Sequence, residues 1–528
     1  MTQNDYSPAT SPVLQDVRSC EEWLARAALS DSQQACHALL ALLDELEDAP
    51  PARAPYLAIL ERLREPILIA QAEQSTKYAA KPLPLGHLEN AAFTQSCDLW
   101  VALLRAYRRL LRAEIKSPSP EHASLLALLA QRSIQSTGEQ IDANLAARRE
   151  VPEDLWHWLH EMYGLAEARG VADVQVPEAR SRAATRSSCA AAYARPLLHA
   201  LANPYGLAQR ELAWTRRWTH QWSHKLKIGT SIRRSAGYAV DLAGGAPAHW
   251  TAADAGVDSR RFLDASELLR SIKGRIRKLA AGAAPVELGL GRDCTAAAAS
   301  ELLGALLAAW GEAPRARQFP RRASASPAAL VAGFPDIHAA VDGGIAPEDP
   351  EPWHYSRRDA EHIHMFQRSL QASAKALLRP EIESWETLDE SATGFGLRRG
   401  AGGARISNRQ LIALRPHGAR QYILCEVRWL AQAQDQSLGI GAKALPGLAH
   451  ACEVRSPSTN PARQPAFMQA FLLPLVAGHP QTIVLPAGWH QNERSIELRL
   501  QGELIRIRLG ALLGRGYDYD RAEFQVEA

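Results

Sequence analysis

The sequence lacks most of the features that quickly assign a protein to a class. Its seven cysteines (Cys20, Cys36, Cys97, Cys189, Cys294, Cys425 and Cys452) are odd in number, widely spaced, and include no C-x-x-C pair. That excludes a disulfide framework and a structural zinc site, and fits a reducing compartment. Long hydrophobic runs are missing as well. The most apolar stretch, FMQAFLLPLVAG at 467–478, is too short to span a bilayer and contains Pro474. The first residues, MTQNDYSPATSP, lack the charged start and apolar stretch of a signal peptide, so the expected location is the cytoplasm. Charge of one sign is also absent in bulk. The 60 Lys and Arg against 57 Asp and Glu leave a net +3, so no global field draws the protein onto nucleic acid or membrane.

Catalytic signatures are missing too. There is no G-x-x-x-x-G-K-[ST] phosphate loop and no G-x-S-x-G nucleophile elbow, and no cysteine sits in a catalytic-thiol signature. The G-x-G in ELGLGRDC lacks the strand, helix and acidic partner of a dinucleotide fold. His220 and His224 have metal-ligand spacing on a predicted helix, but Trp214, Trp218 and Trp222 run down the same helix at i, i+4, i+8 and mark a packed face. His362 and His364, with His354, Asp359 and Glu361 nearby, are two apart and diverge on a helix. The expectation is therefore no catalytic residue, no metal, no cofactor and no enzyme.

What is present divides by pattern, and the length suggests roughly three or four domains. Residues 20 to about 170 are helical. Cys36, Leu39, Leu40, Leu43 and Leu46 form one stripe, stopped by Pro50 and Pro51. Phe93, Cys97, Trp100, Leu104, Tyr107 and Leu111 form a second seam with a basic outer face. Residues 171–187 read as a linker. A mixed segment follows, ending in helices at ASELLRSIKGRIRKLAAG and TAAAASELLGALLAAW. After Pro314 comes the basic cluster RARQFPRR, then an extended apolar segment, ALVAGFPDIHAAV, and a polar insertion from 342 to 380 with a helix expected at RRDAEHIHMFQRSLQASAKALL. Short strands then recur at regular spacing, as in a small antiparallel barrel or sandwich. In SIELRL–QG–ELIRIRLG, Ile496, Leu498 and Leu500 face Ile505, Ile507 and Leu509 in a hairpin, and whether this end closes a second barrel or extends the first stays open. The fold class is α+β. The expected domains are an α-helical domain at 1–180, a mixed α/β domain at 181–310, a β-barrel at 311–450 with the insertion, and a β-rich extension at 451–528.

Two motifs stand out in the third domain. RARQFPRR places Arg317 and Arg321 in an R-x-x-x-R frame, with Arg315 and Arg322 adjacent. LDESATGFGL carries Asp389, Ser391 and Gly394 as D-x-S-x-x-G, which by itself is a turn: Asp and Ser bond their own backbone, and Gly supplies conformational freedom. R-x-x-x-R before a first strand and D-x-S-x-x-G entering a second resembles the PilZ domain family. The later strands agree in order: GFGL, RQLIALRP, ILCEVRWL and LGIGAKAL. The resemblance covers about residues 311–450. One departure is that positions 321 and 389 are 68 apart, the excess lying in the insertion.

The resemblance implies a six-stranded antiparallel barrel that binds the bacterial second messenger cyclic di-GMP, with Arg317, Arg321, Arg322, Asp389, Ser391 and Gly394 as ligand-binding residues. The chemistry agrees independently. A guanidinium pairs with phosphate or with guanine O6 and N7, and a carboxylate accepts from the guanine N1–H and N2–H₂ edge. The expected function is thus a non-enzymatic cyclic di-GMP receptor that signals by conformational change to a protein effector, with a homodimer left open. The alternative is a degenerate PilZ-like scaffold that binds a protein partner without nucleotide. Single-stranded nucleic acid ranks third, because few aromatic residues interleave with the basic ones.

Overall fold

The computed structural model describes residues 14–178, 186–232, 235–252, 258–313, 320–343, 380–457, 465–476 and 478–527. They fall into two compact units, one running to residue 313 and the other from residue 320, with Pro82–Pro84 counted in the latter. The helix expected at RRDAEHIHMFQRSLQASAKALL, the histidines at 354, 362 and 364, and Arg317 lie outside the described residues. Among the described residues the fold is α+β, with eleven α-helices and two closed antiparallel barrels.

The first unit opens with six helices: α1 (Val17–Arg26), α2 (Ser32–Asp48), α3 (Arg53–Tyr78), α4 (His87–Lys116), α5 (His122–Ala146) and α6 (Glu153–Ala168). The seam of α4 points inward as its periodicity predicts, with Phe93, Trp100, Tyr107 and Leu111 all buried. Helix α5 is the axis of the unit: every residue from Leu129 to Arg148 is buried, although many are polar. Enclosing charge is costly unless it is paired. Here Arg132 Nε and Nη2 grip Glu61 at 2.9 and 2.8 Å, Arg195 Nη1 bonds Glu139 at 3.0 Å, and Asp142 meets both Arg195 and His199. Ser133, Ser136, Thr137 and Asn144 return hydrogen bonds to carbonyls four residues back.

The stretch read as a linker contains a short hairpin, β1 (Val176–Pro177) with β2 (Arg186–Ser187), and Glu178 beyond it is buried against Arg64 at 2.6 Å. Next come α7 (Cys189–Leu201) and α8 (Gln209–Trp222). Trp214, Trp218 and Trp222 are buried and stacked at 6.4 and 5.6 Å, and the indole N–H of Trp218 donates to Leu290 O. A small antiparallel sheet of β3 (Lys227–Gly229), β4 (Ala236–Asp241), β5 (His249–Ala252) and β6 (Arg260–Asp264), in the order β3-β6-β4-β5, precedes α9 (Ser266–Ala280) and α10 (Ala296–Gly311). One hydrophobic core runs from Leu14 to Trp310 and takes in both the helices and this mixed segment.

The second unit begins with β7 (Arg322–Ala332) and α11 (Phe334–Asp342). The apolar segment ALVAGFPDIHAAV was expected to be extended throughout, and here the structure differs. Gly333 takes φ 95°, which residues with a side chain rarely adopt, and Pro335 sits in the first turn of a helix, where its missing N–H is no loss. The strand therefore ends at Ala332. The barrel closes through β8 (Ile382–Ser391), β9 (Gly394–Arg399), β10 (Leu411–Arg415), β11 (Ile423–Gln432) and β12 (Leu438–Ala444), in the order β10-β11-β12-β9-β8-β7.

The C-terminal strands form their own closed barrel: β13 (His450–Arg455), β14 (Met468–Leu473), β15 (Thr482–Pro486), β16 (Ser495–Leu500), β17 (Glu503–Arg515) and β18 (Tyr519–Val526), in the order β13-β14-β15-β18-β17-β16. The expected hairpin is present, with Ile496 opposite Ile507 and Leu498 opposite Ile505. The two barrels share a cluster around α11, in which Ile337 meets Val331, Leu411, Leu424, Phe471 and Tyr519. Strand β10 is buried on both faces, which explains its uninterrupted run LIAL.

Candidate functional site

D-x-S-x-x-G turns out to be a β-hairpin. Strand β8 ends at Ser391, Ala392 and Thr393 make the turn, and β9 starts at Gly394, paired with Ser391. The Ser391 hydroxyl donates to Gly394 O at 3.2 Å and so tightens the turn. A side chain at Gly394 would come within 3.1 Å of Ala442 O on β12, so glycine is what lets the neighbouring strand approach.

Asp389 owes its position to a bulge. Pairing runs from Thr387↔Leu397 to Asp389↔Gly396 and leaves Leu388 between the two registers. Thr387 is buried, and strict alternation would turn Asp389 inward with it. One extra residue reverses the face. Asp389 thereby reaches the outer face, where Arg321 Nη1 forms an ion pair with its Oδ1. Both side chains remain partly exposed, at 23% and 31%. R-x-x-x-R and D-x-S-x-x-G, 68 positions apart, therefore meet through Arg321 and Asp389. Arg322 is exposed on β7, opposite Glu390 in register.

The register extends this site across the sheet to residues the sequence reading did not select. Ala323, Asp389, Gly396, Gly441 and Trp429 stand in one row over β7, β8, β9, β12 and β11. A Cβ on Gly396 would lie 2.5 Å from Asp389 Oδ1 and 3.3 Å from Arg321 Nη1, and one on Gly441 would collide with the Trp429 indole. Both glycines are buried, because Asp389 and Arg321 lie over Gly396 and the Trp429 indole covers Gly441. Two residues beyond Gly396, Arg398 is 44% exposed and bonds Ser437 Oγ at 3.1 Å and Asp435 Oδ2 at 2.5 Å. The Ser437 hydroxyl holds the Asp435 carboxyl below its ordinary range. Arg398 and Asp435 line an open groove of about 600 Å³, together with Trp385, Glu386 and Ser384. The signals for these residues were present as GFGLRR and LGIGAKAL, but only strand pairing puts them beside Asp389.

Arginine forks, a carboxylate and a partly exposed indole on one outer face suit a planar, anionic, hydrogen-bonding ligand. Comparison with known proteins points the same way. A family model described as "Cyclic-di-GMP receptor FimW, N-terminal domain" matches residues 18–233, and one described as "FimW C-terminal beta-barrel domain" matches 452–526. This chain is similar to FimW. The curated cyclic-di-GMP receptor FimW of Pseudomonas aeruginosa is 22% identical over an alignment covering 94% of this chain and 90% of that protein. The two FimW models flank the first barrel without including it, so the ion pair and the two glycines lie in the stretch between them. Among the described residues no group of three or more His, Cys, Asp or Glu side chains is arranged to hold a metal ion, and no helix is long and apolar enough to cross a membrane.

Proposed function

We propose that the protein is a cyclic di-GMP receptor whose first barrel is PilZ-like and takes the ligand on its outer face. The observation that carries this reading is the Arg321–Asp389 pair beside Gly396, Gly441 and Trp429, reached from two distant motifs. Likeness to a FimW receptor along nearly the whole chain supports it. In this reading Asp389 accepts from the N1–H and N2–H₂ edge of a guanine, with Trp429 on the same outer face. Arg321, Arg322 and Arg317 meet phosphate or purine acceptors, and Arg398 extends the cationic contacts along β9. Ser391 and Gly394 shape the hairpin that presents Asp389. Binding requires Arg321 to leave or share its partner, and that rearrangement at the start of β7 is the conformational signal read by a protein effector. The role is recognition in the cytoplasm, without catalysis.

A second reading has one observation in its favour: the Arg321–Asp389 pair satisfies both groups without ligand, as in a scaffold that binds a protein partner. Calorimetric titration of the full chain with cyclic di-GMP, cyclic di-AMP, GTP and a short single-stranded RNA separates the readings. Saturation by cyclic di-GMP alone is expected. No heat with any of the four ligands selects the scaffold, and preference for RNA selects nucleic-acid binding.

A further inference from the structure

The first unit holds a second concave site, far along the sequence from the barrel motifs. A cavity of about 770 Å³ lies between α3, the start of α5 and the β1–β2 hairpin. Its walls are two helix faces, Ala54, Leu57, Ala58 and Glu61 on α3 and Leu125, Leu128 and Leu129 on α5, closed laterally by Val174 and Val176. From Glu61 onward these helices are tied together, where Arg132 grips that carboxylate and Arg64 reaches Gln135. Before that point they stand apart and leave a slot about eight residues, or roughly 12 Å, long.

From Leu129 onward α5 is sealed, yet Leu125 and Leu128 are only partly buried, as is Leu57 opposite, and Val174 is 38% exposed. Apolar side chains left half-covered on facing walls are the mark of a ligand pocket of this size. The inner end offers no vacancy for a charge, because Glu61 is already engaged by Arg132 and by the Tyr107 hydroxyl. The entrance is different. Arg53, Glu121 and the exposed Arg186 are among its lining groups, and Arg53 is already paired with the buried Glu114 at 3.1 Å. Arg186 donates to the main-chain carbonyl of Gln175, which holds its guanidinium group at the rim.

We propose that this slot binds a single-chain amphiphile, with its alkyl tail between α3 and α5 and its anionic head at Arg186. Tail burial covers the half-buried leucines, and the head group pairs with the Arg186 guanidinium. The site is independent of the cyclic di-GMP reading, since none of its residues belongs to the barrel.

The test uses the full chain and dansyl-undecanoic acid as a fluorescent probe. Saturable enhancement is expected, displaced by free decanoic acid and at least tenfold less well by decanol. Leu128→Trp and, separately, Leu57→Trp fill the slot and should each weaken probe binding at least tenfold, with the far-UV spectrum and the melting transition retained. Arg186→Glu should weaken it severalfold. Unchanged binding in both tryptophan variants overturns the site. Equal displacement by decanoic acid and decanol overturns the anionic head group. Displacement by phosphatidylglycerol vesicles but not by the free acid overturns the single-chain ligand in favour of a membrane surface.

Discussion

The Arg321–Asp389 pair can be separated into its structural and its recognition roles by charge reversal. Both side chains are about a quarter to a third exposed, so the pair contributes to folding as surface pairs do, about 0.2–1 kcal/mol. Arg321→Ala should therefore lower the melting temperature by less than about 4 °C for a unit of this size. Binding should respond much more strongly. Loss of one charge-assisted contact to the ligand costs about 1.5–3 kcal/mol, or about ten- to a hundredfold in affinity. Asp389→Ala should cost a similar factor and also erode the preference for cyclic di-GMP over cyclic di-AMP, because adenine lacks the N1–H donor. The double reversal Arg321→Asp with Asp389→Arg restores an ion pair across β7 and β8 but presents each group to the wrong part of the ligand. Its melting temperature should recover while its affinity does not. The assay is calorimetric titration of the four proteins beside thermal unfolding. Affinities within twofold of wild type in both single variants, or binding rescued by the reversal, would refute the argument that these residues touch the ligand.

The remaining predictions concern Gly396, the barrel junction and the first core. Gly396→Val should abolish cyclic di-GMP binding with the barrel still folded, because its side chain enters the space of Asp389 Oδ1 while the strand accepts a β-branched residue; strong binding together with an unaltered Arg321–Asp389 pair in a structure of the variant would count against it. Asp518 accepts the N–H of Leu411 at 2.9 Å, and burial pushes its carboxyl up to about 6. A folded-state value raised above the unfolded one means stability is greatest below about pH 4 and is lost as pH rises through 6. The loss is on the order of 2–3 kcal/mol, and Asp518→Asn, titrated with denaturant between pH 4 and 7, should flatten that slope. Trp218→Ala removes a fully buried ring between two stacked indoles and should cost about 3–5 kcal/mol in denaturant unfolding.

Much of this architecture is local and therefore legible in the chain. The α4 seam and the Trp214–Trp218–Trp222 face are set by spacing along one helix, and each was read from spacing alone. The SIELRL–QG–ELIRIRLG hairpin needs only alternation and a turn. Arg321, Asp389, Ser391 and Gly394 were visible because each motif lies within a few consecutive residues. Other features depend on residues far apart in sequence. Alternation predicts which face a strand buries, but not the unpaired Leu388 that turns Asp389 outward, since a bulge is defined only against a partner strand. FPDIHAAV is apolar enough for a strand, and it becomes α11 because two barrels present an apolar cleft that an amphipathic helix fills. Whether the last 70 or so residues extended the first barrel or closed their own was settled by the pairing of β13 with β16, a long-range hydrogen-bond choice with no local signal. The same holds for the site: composition supplied a carboxylate and several arginines, and strand register alone set Gly396, Gly441 and Trp429 beside them.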